Sequence, residues 1–397
     1  MNKQRMGKVL RLGFSATIIL VIFMAIAIFS VGPSLVAKRF NPVGKVASQA
    51  PGTSLQALHQ SLTIADLHAD SLLWGRDLSK FATYGHVDIP RLLQGNVALQ
   101  MFTVVTKVPT PLRLEGNSDR SDNITKLAIL QRWPISSWFS LKQRALHQAK
   151  KLQALERKTS GQFRLIKTQQ DLNQYLAQRQ QNSSITAGIL GLEGAQALEG
   201  RIDNVDQLYD AGFRMIGLAH FFDTEVSGSA HGENRGGLTP FGLEALKRME
   251  NLGLVIDLAH ASSQAFDEVI QHTHHPVLVS HTGVQGTCEN ARNLSDRQLQ
   301  QIAQTGGVIG IGFWETAVCG DDVGAIVRAI RYVVDQVGID HVALGSDFDG
   351  AVRVPLDASQ LHYITQALQQ EGFNEPEIRK IMGDNVISLL QQLLPAS

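Results

Sequence analysis

His68 and Asp70 stand two residues apart, so on an extended strand they share a face and can offer one imidazole and one carboxylate to a single cation. Glu193 follows a wholly apolar run, where a carboxylate needs a cation or a nest of hydrogen-bond donors to offset its burial. His260 and His281 end two further apolar runs, and two neutral imidazoles make a nitrogen-rich second site. Asp347 opens the sequence Asp-Phe-Asp-Gly, and His220 ends Leu-Ala-His. Each residue alone has a plainer reading: a local hydrogen bond for His68, a helix-start contact beside Gly194 and Ala195 for Glu193, a turn for Asp347. Jointly they describe two cations bridged by Glu193. One would be held by His68, Asp70 and Asp347 and the other by His260 and His281, with a hydroxide shared between them. Two ions about 3.5–4 Å apart can activate water and clamp a developing oxyanion.

Such convergence requires elements that deliver their ends to one place. Eight short apolar runs, rich in branched residues and bounded by turn formers, lie at 62–68, 97–104, 185–192, 213–220, 254–260, 276–281, 307–313 and 341–347. Most start about 22 to 41 residues apart, which is the spacing of strand–helix repeats, and near-continuous apolar runs suit parallel strands buried on both faces. Eight such units predict an α/β fold, a (β/α)8 TIM-like barrel whose reactive groups sit at the C-terminal strand ends. Six of the eight strands deliver a metal-competent side chain there. The one long interruption, 105–184, reads as an insertion with a Pro-containing loop and a helix near 124–158, placed to form a lid.

Composition is compatible with this and excludes other classes. The 397 residues carry 36 basic and 36 acidic side chains, so no net charge is available to neutralise nucleic-acid phosphates. Two cysteines cannot build a disulfide-dense secreted scaffold. The N-terminus is a separate object: Lys3, Arg5, Lys8 and Arg11 precede an uncharged stretch at 12–37 that is unbrokenly apolar over 18–29. About 20 residues cross a bilayer as a helix, and basic flanks stay cytoplasmic, so 1–37 reads as a membrane anchor with the remainder extracytoplasmic, periplasmic if bacterial. The rival is a cleaved signal peptide, with Ala25-Ile26-Ala27 as the small-x-small site, although that lies inside the apolar run. Residues 38–60, with Pro42, Pro51, Gly44 and Gly52, read as a tether, and 61–397 as the catalytic domain.

From about residue 62 to 393 the motifs resemble the membrane (renal) dipeptidases, peptidase family M19, a branch of the amidohydrolase superfamily. The blocks are His68-x-Asp70, Gly-Leu-Glu193-Gly, Leu-Ala-His220, Gly237-Leu-Thr-Pro-Phe-Gly242, Ile-Asp-Leu-Ala-His260, Val-Ser-His281, Ala-Arg292-Asn-Leu, Ser-Asp347-Phe-Asp-Gly and Gly383-Asp384-Asn385. The resemblance implies a binuclear zinc peptidase that hydrolyses dipeptides, including those with a C-terminal D-residue, through a metal-bridging hydroxide. By it, His68, Asp70, Glu193, His260, His281 and Asp347 are the metal ligands, with Glu193 bridging and Asp347 also taking the proton of the attacking water. His220 is similar to the residue that steadies the oxyanion, and Arg292 to the one that receives the substrate carboxylate. Cys288 and Cys319 fall where the family carries a disulfide. Ala195 departs from the family, which commonly has a second glycine there, and 105–184 has no family signature.

The expected partners are a dipeptide and the membrane, without nucleic acid, and a homodimer is a candidate assembly. Two other functions compete: a related hydrolase such as an N-acyl-amino-acid deacylase or lactonase, and a catalytically silent tethered binding domain. Many relatives of the first kind use His-x-His and a carboxylated lysine, whereas this chain has His68-x-Asp70 and Glu193. Retention of all six metal-site residues speaks against the second. His272, His274 and His275 precede a strand and read as a solvated loop on the opposite face, whereas His231 is on the active rim and is a candidate for the pocket wall. The glycines at 306, 307, 310 and 312 belong to a strand and lack the Lys-Ser/Thr of a phosphate loop.

Overall fold

The computed structural model describes residues 3–46 and 52–396. Among the described residues nine strands form one parallel sheet: β1 (Ile64–Ala69), β2 (Val97–Phe102), β3 (Phe163–Leu165), β4 (Thr186–Leu192), β5 (Phe213–Gly217), β6 (Val255–Asp257), β7 (Leu278–Thr282), β8 (Val308–Ile311) and β9 (Val342–Leu344). β2 pairs with β4 as well as with β1, which closes a barrel of eight strands and leaves β3 outside the ring. The (β/α)8 expectation is thereby met. Each of the eight apolar runs contains one barrel strand, but most strands stop short of the run's end. His220, His260 and Asp347 all lie just beyond the last paired residue, where the backbone is free to turn them toward the axis.

The ninth strand is an addition that the sequence reading passed over. β3 is three residues long and pairs with the first half of β4, from Phe163↔Thr186 to Leu165↔Gly188, while β5 pairs with the second half. The helix expected near 124–158 is broken into Asn123–Leu130, Ser136–Phe139 and Leu141–Lys158. Pro134 cannot donate within a continuing helix, and Ser140 caps the third segment by accepting from Gln143 N.

The barrel core contains Ala65, Leu67, Leu99, Met101, Ile189, Met215, Val255, Leu278, Val308 and Ala343, with Val386 and Leu390 of the last helix, Asn385–Leu393, in the same cluster. At the rim the strands approach too closely for a side chain: a Cβ on Gly345 would lie 2.1 Å from Ser280 O. That approach brings the β9 end, with Asp347, beside the β7 end, with His281.

The N-terminal segment is one helix, Lys3–Phe40, and among the described residues it is the one helix long and apolar enough to cross a membrane. Phe14, Leu20, Phe23, Ile26 and Val31 are exposed along it. Its last turns are different. Ala37 is buried among Trp74, Ile124, Ala128 and Trp133, so the helix end packs on the inserted segment. Of the expected tether, residues 47–51 lie outside the described residues; beyond them Thr53–Ser61 is helical, with Leu55 and His59 buried.

Candidate active site

Glu193 sits at the centre of the rim. It follows β4, is 4% exposed, and Gly194 behind it has φ +87°, a left-handed turn that suits glycine and ends the strand. Its Oε1 lies 3.1 Å from His260 Nε2, 3.4 Å from His281 Nε2 and 3.6 Å from His68 Nε2. Its Oε2 lies 3.4 Å from His220 Nε2. One carboxylate therefore touches four imidazoles, brought by β1, β5, β6 and β7. On the other side His68 Nε2 is 3.5 Å from Asp70 Oδ1 and 4.0 Å from Asp347 Oδ1. His260 and His281 face each other with 3.0 Å between their Nε2 atoms.

These spacings fit metal ions better than hydrogen bonds. Two ligands about 2.1 Å from a tetrahedral ion stand roughly 3.4 Å apart, which matches the 3.4–3.6 Å separations around Glu193 and His68. His68 Nε2 and Glu193 Oε2 are buried with no hydrogen-bond partner, an arrangement that is costly unless a cation takes them up. Three compact donor groups result: His68, Asp70 and Asp347; His68, Glu193 and His281; Glu193, His220 and His260. The last places His220 within reach of a cation as well as of substrate.

The electrostatics agree. Burial, with the Asp70 charge adding, raises the Glu193 carboxyl well above its ordinary range. Burial likewise raises Asp347 to about 8 against the opposing pull of His68. Burial first, then neighbouring cationic groups, lowers His220, His260 and His281 well below the usual imidazole range. His68 is the exception: burial would lower it, but Glu193 and Asp70 together lift it to about 10. Carboxylates and imidazoles crowded into one dry space thus call for positive charge, and a metal ion supplies it without protonating the ligands.

Two of the candidate donors are held in unusual backbone. His260 has φ +63° and Asp347 φ +59°, conformations that a non-glycine residue adopts at a cost of about 1–3 kcal/mol. The surroundings fix both. Ala230 N donates to His260 O at 2.8 Å, and Gly350 N to Asp347 O at 3.1 Å, closing a tight turn beneath the carboxylate.

Sequence reading missed the residues that aim the ligands. Ser280 Oγ donates to Asp257 Oδ2 at 2.6 Å, which leaves its lone pairs for His68 Nδ1 at 3.0 Å and His281 Nδ1 at 2.9 Å. Both imidazoles must then carry their proton on Nδ1 and turn the bare Nε2 toward Glu193. The signal was present in the motifs Ile-Asp-Leu-Ala-His and Val-Ser-His, in which Asp257 and Ser280 directly precede or nearly precede a ligand.

Above the carboxylates lies a cavity of about 450 Å³, lined among others by Arg292, His220, His231, Phe221 and Trp314. Arg292 is 6% exposed, donates through Nη2 to His281 O, and has its guanidinium 5.8 Å from the Trp314 ring centroid. His231 is part of the wall, 5.0 Å from the His260 ring between centroids, and its Nδ1 meets Leu114 O of the insertion. Leu112, Arg113 and Leu114 cover the same cavity, so the insertion reaches over the site. Cys288 and Cys319 are bonded and tie the loop after β7 to the loop after β8. His272, His274 and His275 are exposed and remote from all of this, as expected of a solvated loop.

A parallel eight-stranded barrel that gathers histidines and carboxylates at its C-terminal strand ends has the architecture and the donor set of a barrel metalloenzyme. The model of the membrane dipeptidase family, peptidase family M19, matches residues 53–395, and the chain belongs to that family. It is a metallopeptidase of the dipeptidase class. Among relatives, dipeptidase tcpJ of Claviceps purpurea is 27% identical over 78% of this chain and 69% of its own length. An uncharacterized protein in the pqqA 5' region of Klebsiella pneumoniae is 30% identical over 59% of this chain and 90% of its own. Among solved structures, a metallo peptidase from Rhodobacter sphaeroides, liganded with a phosphinate mimic of the dipeptide L-Ala-D-Ala, superposes with a TM-score of 0.70. It is 25% identical and covers 84% of this chain and 99% of its own.

Proposed function

We propose that this chain is a membrane-anchored dipeptidase that holds two zinc ions and accepts dipeptides with a C-terminal D-residue. The observation that supports the metal count is the position of Glu193, one carboxylate shared by two candidate donor groups, its Oε1 within 3.6 Å of His68, His260 and His281 and its Oε2 3.4 Å from His220. His68, Asp70 and Asp347 would hold one ion, His260 and His281 the other, with Glu193 common to both. Bound there, the zinc pair supplies Lewis acidity that polarises the scissile carbonyl and makes water a nucleophile at neutral pH. The tolerance for a D-residue is supported by the L-Ala-D-Ala mimic in the Rhodobacter sphaeroides relative.

The side chains divide the remaining work. Asp347, buried at the cavity wall, would take a proton from the attacking water and return it to the leaving amine. His220, whose pKa burial lowers well below the usual imidazole range, would donate its ring N–H to the oxygen that becomes negative. Arg292 receives the free carboxylate of the second residue in a bidentate contact, which excludes longer peptides and orients the scissile bond. Leu112 and Leu114 cap the cavity and limit water.

The N-terminal helix anchors this domain with its basic end in the cytoplasm and the barrel outside. Zinc analysis of the purified chain, combined with hydrolysis of L,L and L,D dipeptides before and after chelation, tests the reading. About two zinc ions per chain and activity lost on chelation and restored by zinc are expected. Full activity after exhaustive chelation would overturn it.

A further inference from the structure

The apolar helix is longer than a bilayer needs. The uncharged residues at 12–31 already span about 30 Å as a helix. From residue 32 the same helix is docked on the domain: a Cβ on Gly32 would lie 3.1 Å from the Leu130 side chain, and Val36 and Ala37 pack with Ile124, Leu127 and Ala128. No free spacer separates the helix end from the barrel rim. Asn41 Oδ1 accepts from Ala351 N at 3.0 Å, Gly44 N donates to Val354 O at 2.7 Å, and Val43 bridges to Val354. Ala351 lines the catalytic cavity, as do Leu73, Val105 and Val108, which belong also to the cluster gripping the helix.

The segment that grips the helix exposes apolar side chains that the barrel leaves uncovered. Phe139 is 85% exposed and Ile135 67%, with Ile129 beside them and Trp138 half-buried. Lys126 and Arg132 on this segment, and Lys38 and Arg39 at the helix end, are also exposed. Acidic residues are missing from both contributors: the sequence has none before Asp66 and none at 123–155. In a chain with 36 acidic residues, their absence from the two segments that meet here makes both segments cationic, with Asp119 and Asp122 standing at one edge beside Trp138 and Phe139. Apolar tips ringed by cations, with tryptophan among them, match the headgroup layer of an anionic bilayer.

We propose that the segment at 123–139 and the end of the N-terminal helix form a platform resting on the surface of an anionic membrane, which holds the active-site rim beside the bilayer. This inference rests on the anchor reading given above and adds a second, peripheral contact to it. The domain is thereby fixed in orientation rather than swinging on a tether, and dipeptides released at the membrane surface meet the cavity directly.

The test uses the full chain in vesicles of phosphatidylglycerol and phosphatidylcholine. Because both native cysteines are bonded to each other, Ile135→Cys and Phe139→Cys each provide a single free thiol for a fluorophore, with Glu371→Cys as an exposed control. Dipeptide hydrolysis by each labelled chain confirms the fold. Labels at 135 and 139 should be quenched by nitroxide lipids at least about two-fold more than at 371, and should be shielded from aqueous iodide. Arg132→Glu with Lys126→Glu should reduce that lipid quenching in anionic vesicles. A chain that stays inserted through alkaline washing while its labels at 135 and 139 are as open to iodide as the control refutes the platform and leaves the anchor standing. Labels shielded from iodide and lipid alike mean that protein covers the patch, which also refutes it. A chain released by the wash, or recovered without its N-terminal helix, overturns the anchor reading and the platform with it.

Discussion

Replacing Ser280 by Ala should weaken both metal positions at once, although the residue touches neither ion. Its single hydroxyl serves three groups: it donates to Asp257 Oδ2 at 2.6 Å and accepts from His68 Nδ1 and His281 Nδ1 at 3.0 and 2.9 Å. In the two-ion reading proposed above, His68 would serve the ion held with Asp70 and Asp347, and His281 the ion held with His260. Removing the hydroxyl frees both rings to take the other tautomer, which turns a proton instead of a lone pair toward the cation. Loss of such an outer partner typically costs 10- to 100-fold in metal affinity, or about 1.4–2.7 kcal/mol per ion. The barrel itself should survive, because Asp257 Oδ1 keeps the N–H groups of Ala259 and Ser280, each at 2.9 Å. Zinc competition against a chromophoric chelator measures the two affinities, with circular dichroism confirming the fold. A folded Ser280→Ala protein that binds both zinc ions as tightly as the native chain, or loses affinity at one position alone, would refute the reasoning.

Arg292→Lys keeps the charge but loses the planar fork, so kcat/KM for free dipeptides should fall about 10- to 150-fold with zinc content unchanged. C-terminally amidated dipeptides should be poor substrates of the native enzyme and lose little more; equal cleavage of acid and amide by the native enzyme would show that Arg292 clamps no carboxylate. Lys151 is half-buried, its Nζ donates to Trp74 O at 2.7 Å, and desolvation and then Arg76 lower it from 10.5 to about 7. The unfolded chain therefore binds one more proton than the folded chain between those values, so this contribution to stability is full above about 10.5 and is lost as pH falls to about 7. Urea titrations should show the native protein gaining on Lys151→Gln between pH 7 and pH 9; a constant difference would contradict the shift. Reducing the Cys288–Cys319 bond, whose ends are 31 residues apart, should cost roughly 3–4 kcal/mol in the loop-entropy account, read as a lower urea midpoint. An unchanged midpoint after verified reduction would mean that the loops hold themselves.

The barrel was legible because its strands are buried on both faces, so each wrote an uninterrupted apolar run bounded by turn formers, and six of those runs ended in residues with little reason to be there except chemistry. The site was legible for the same reason: His68, Glu193, His260 and His281 are polar intrusions at the ends of apolar stretches. What stayed hidden was either short or made by distant partners. β3 has three residues, buried, exposed and buried in turn, too few to stand out as a run, and its pairing with β4 is what makes it a strand. The docking of the apolar N-terminal helix depends on Gly32 and Ala37, small residues that carry no periodic signal within a largely apolar run. The tautomer-setting role of Ser280 required the approach of β1 to β7, which no local pattern encodes.

The buried acids that hold no metal explain why the ligands can stand in strained or crowded positions. Asp66 accepts from Gln100 Nε2 at 2.6 Å and from Ser346 N and Oγ at 2.8 and 2.7 Å, which fixes the backbone one residue before Asp347. Asp257 accepts from Ala259 N at 2.9 Å one residue before His260, and holds Ser280 one residue before His281. Asp349 accepts from Ser71 Oγ at 2.5 Å, His86 N at 2.8 Å and the Arg76 guanidinium, one residue beyond Asp70 on one side and two beyond Asp347 on the other. In each case a buried acidic side chain gathers N–H and O–H groups that the turning backbone near a strand end would otherwise leave unpaired. The left-handed backbone at His260 and Asp347 is therefore over-determined from outside the metal site, and the ligand geometry is set by the fold before any ion arrives.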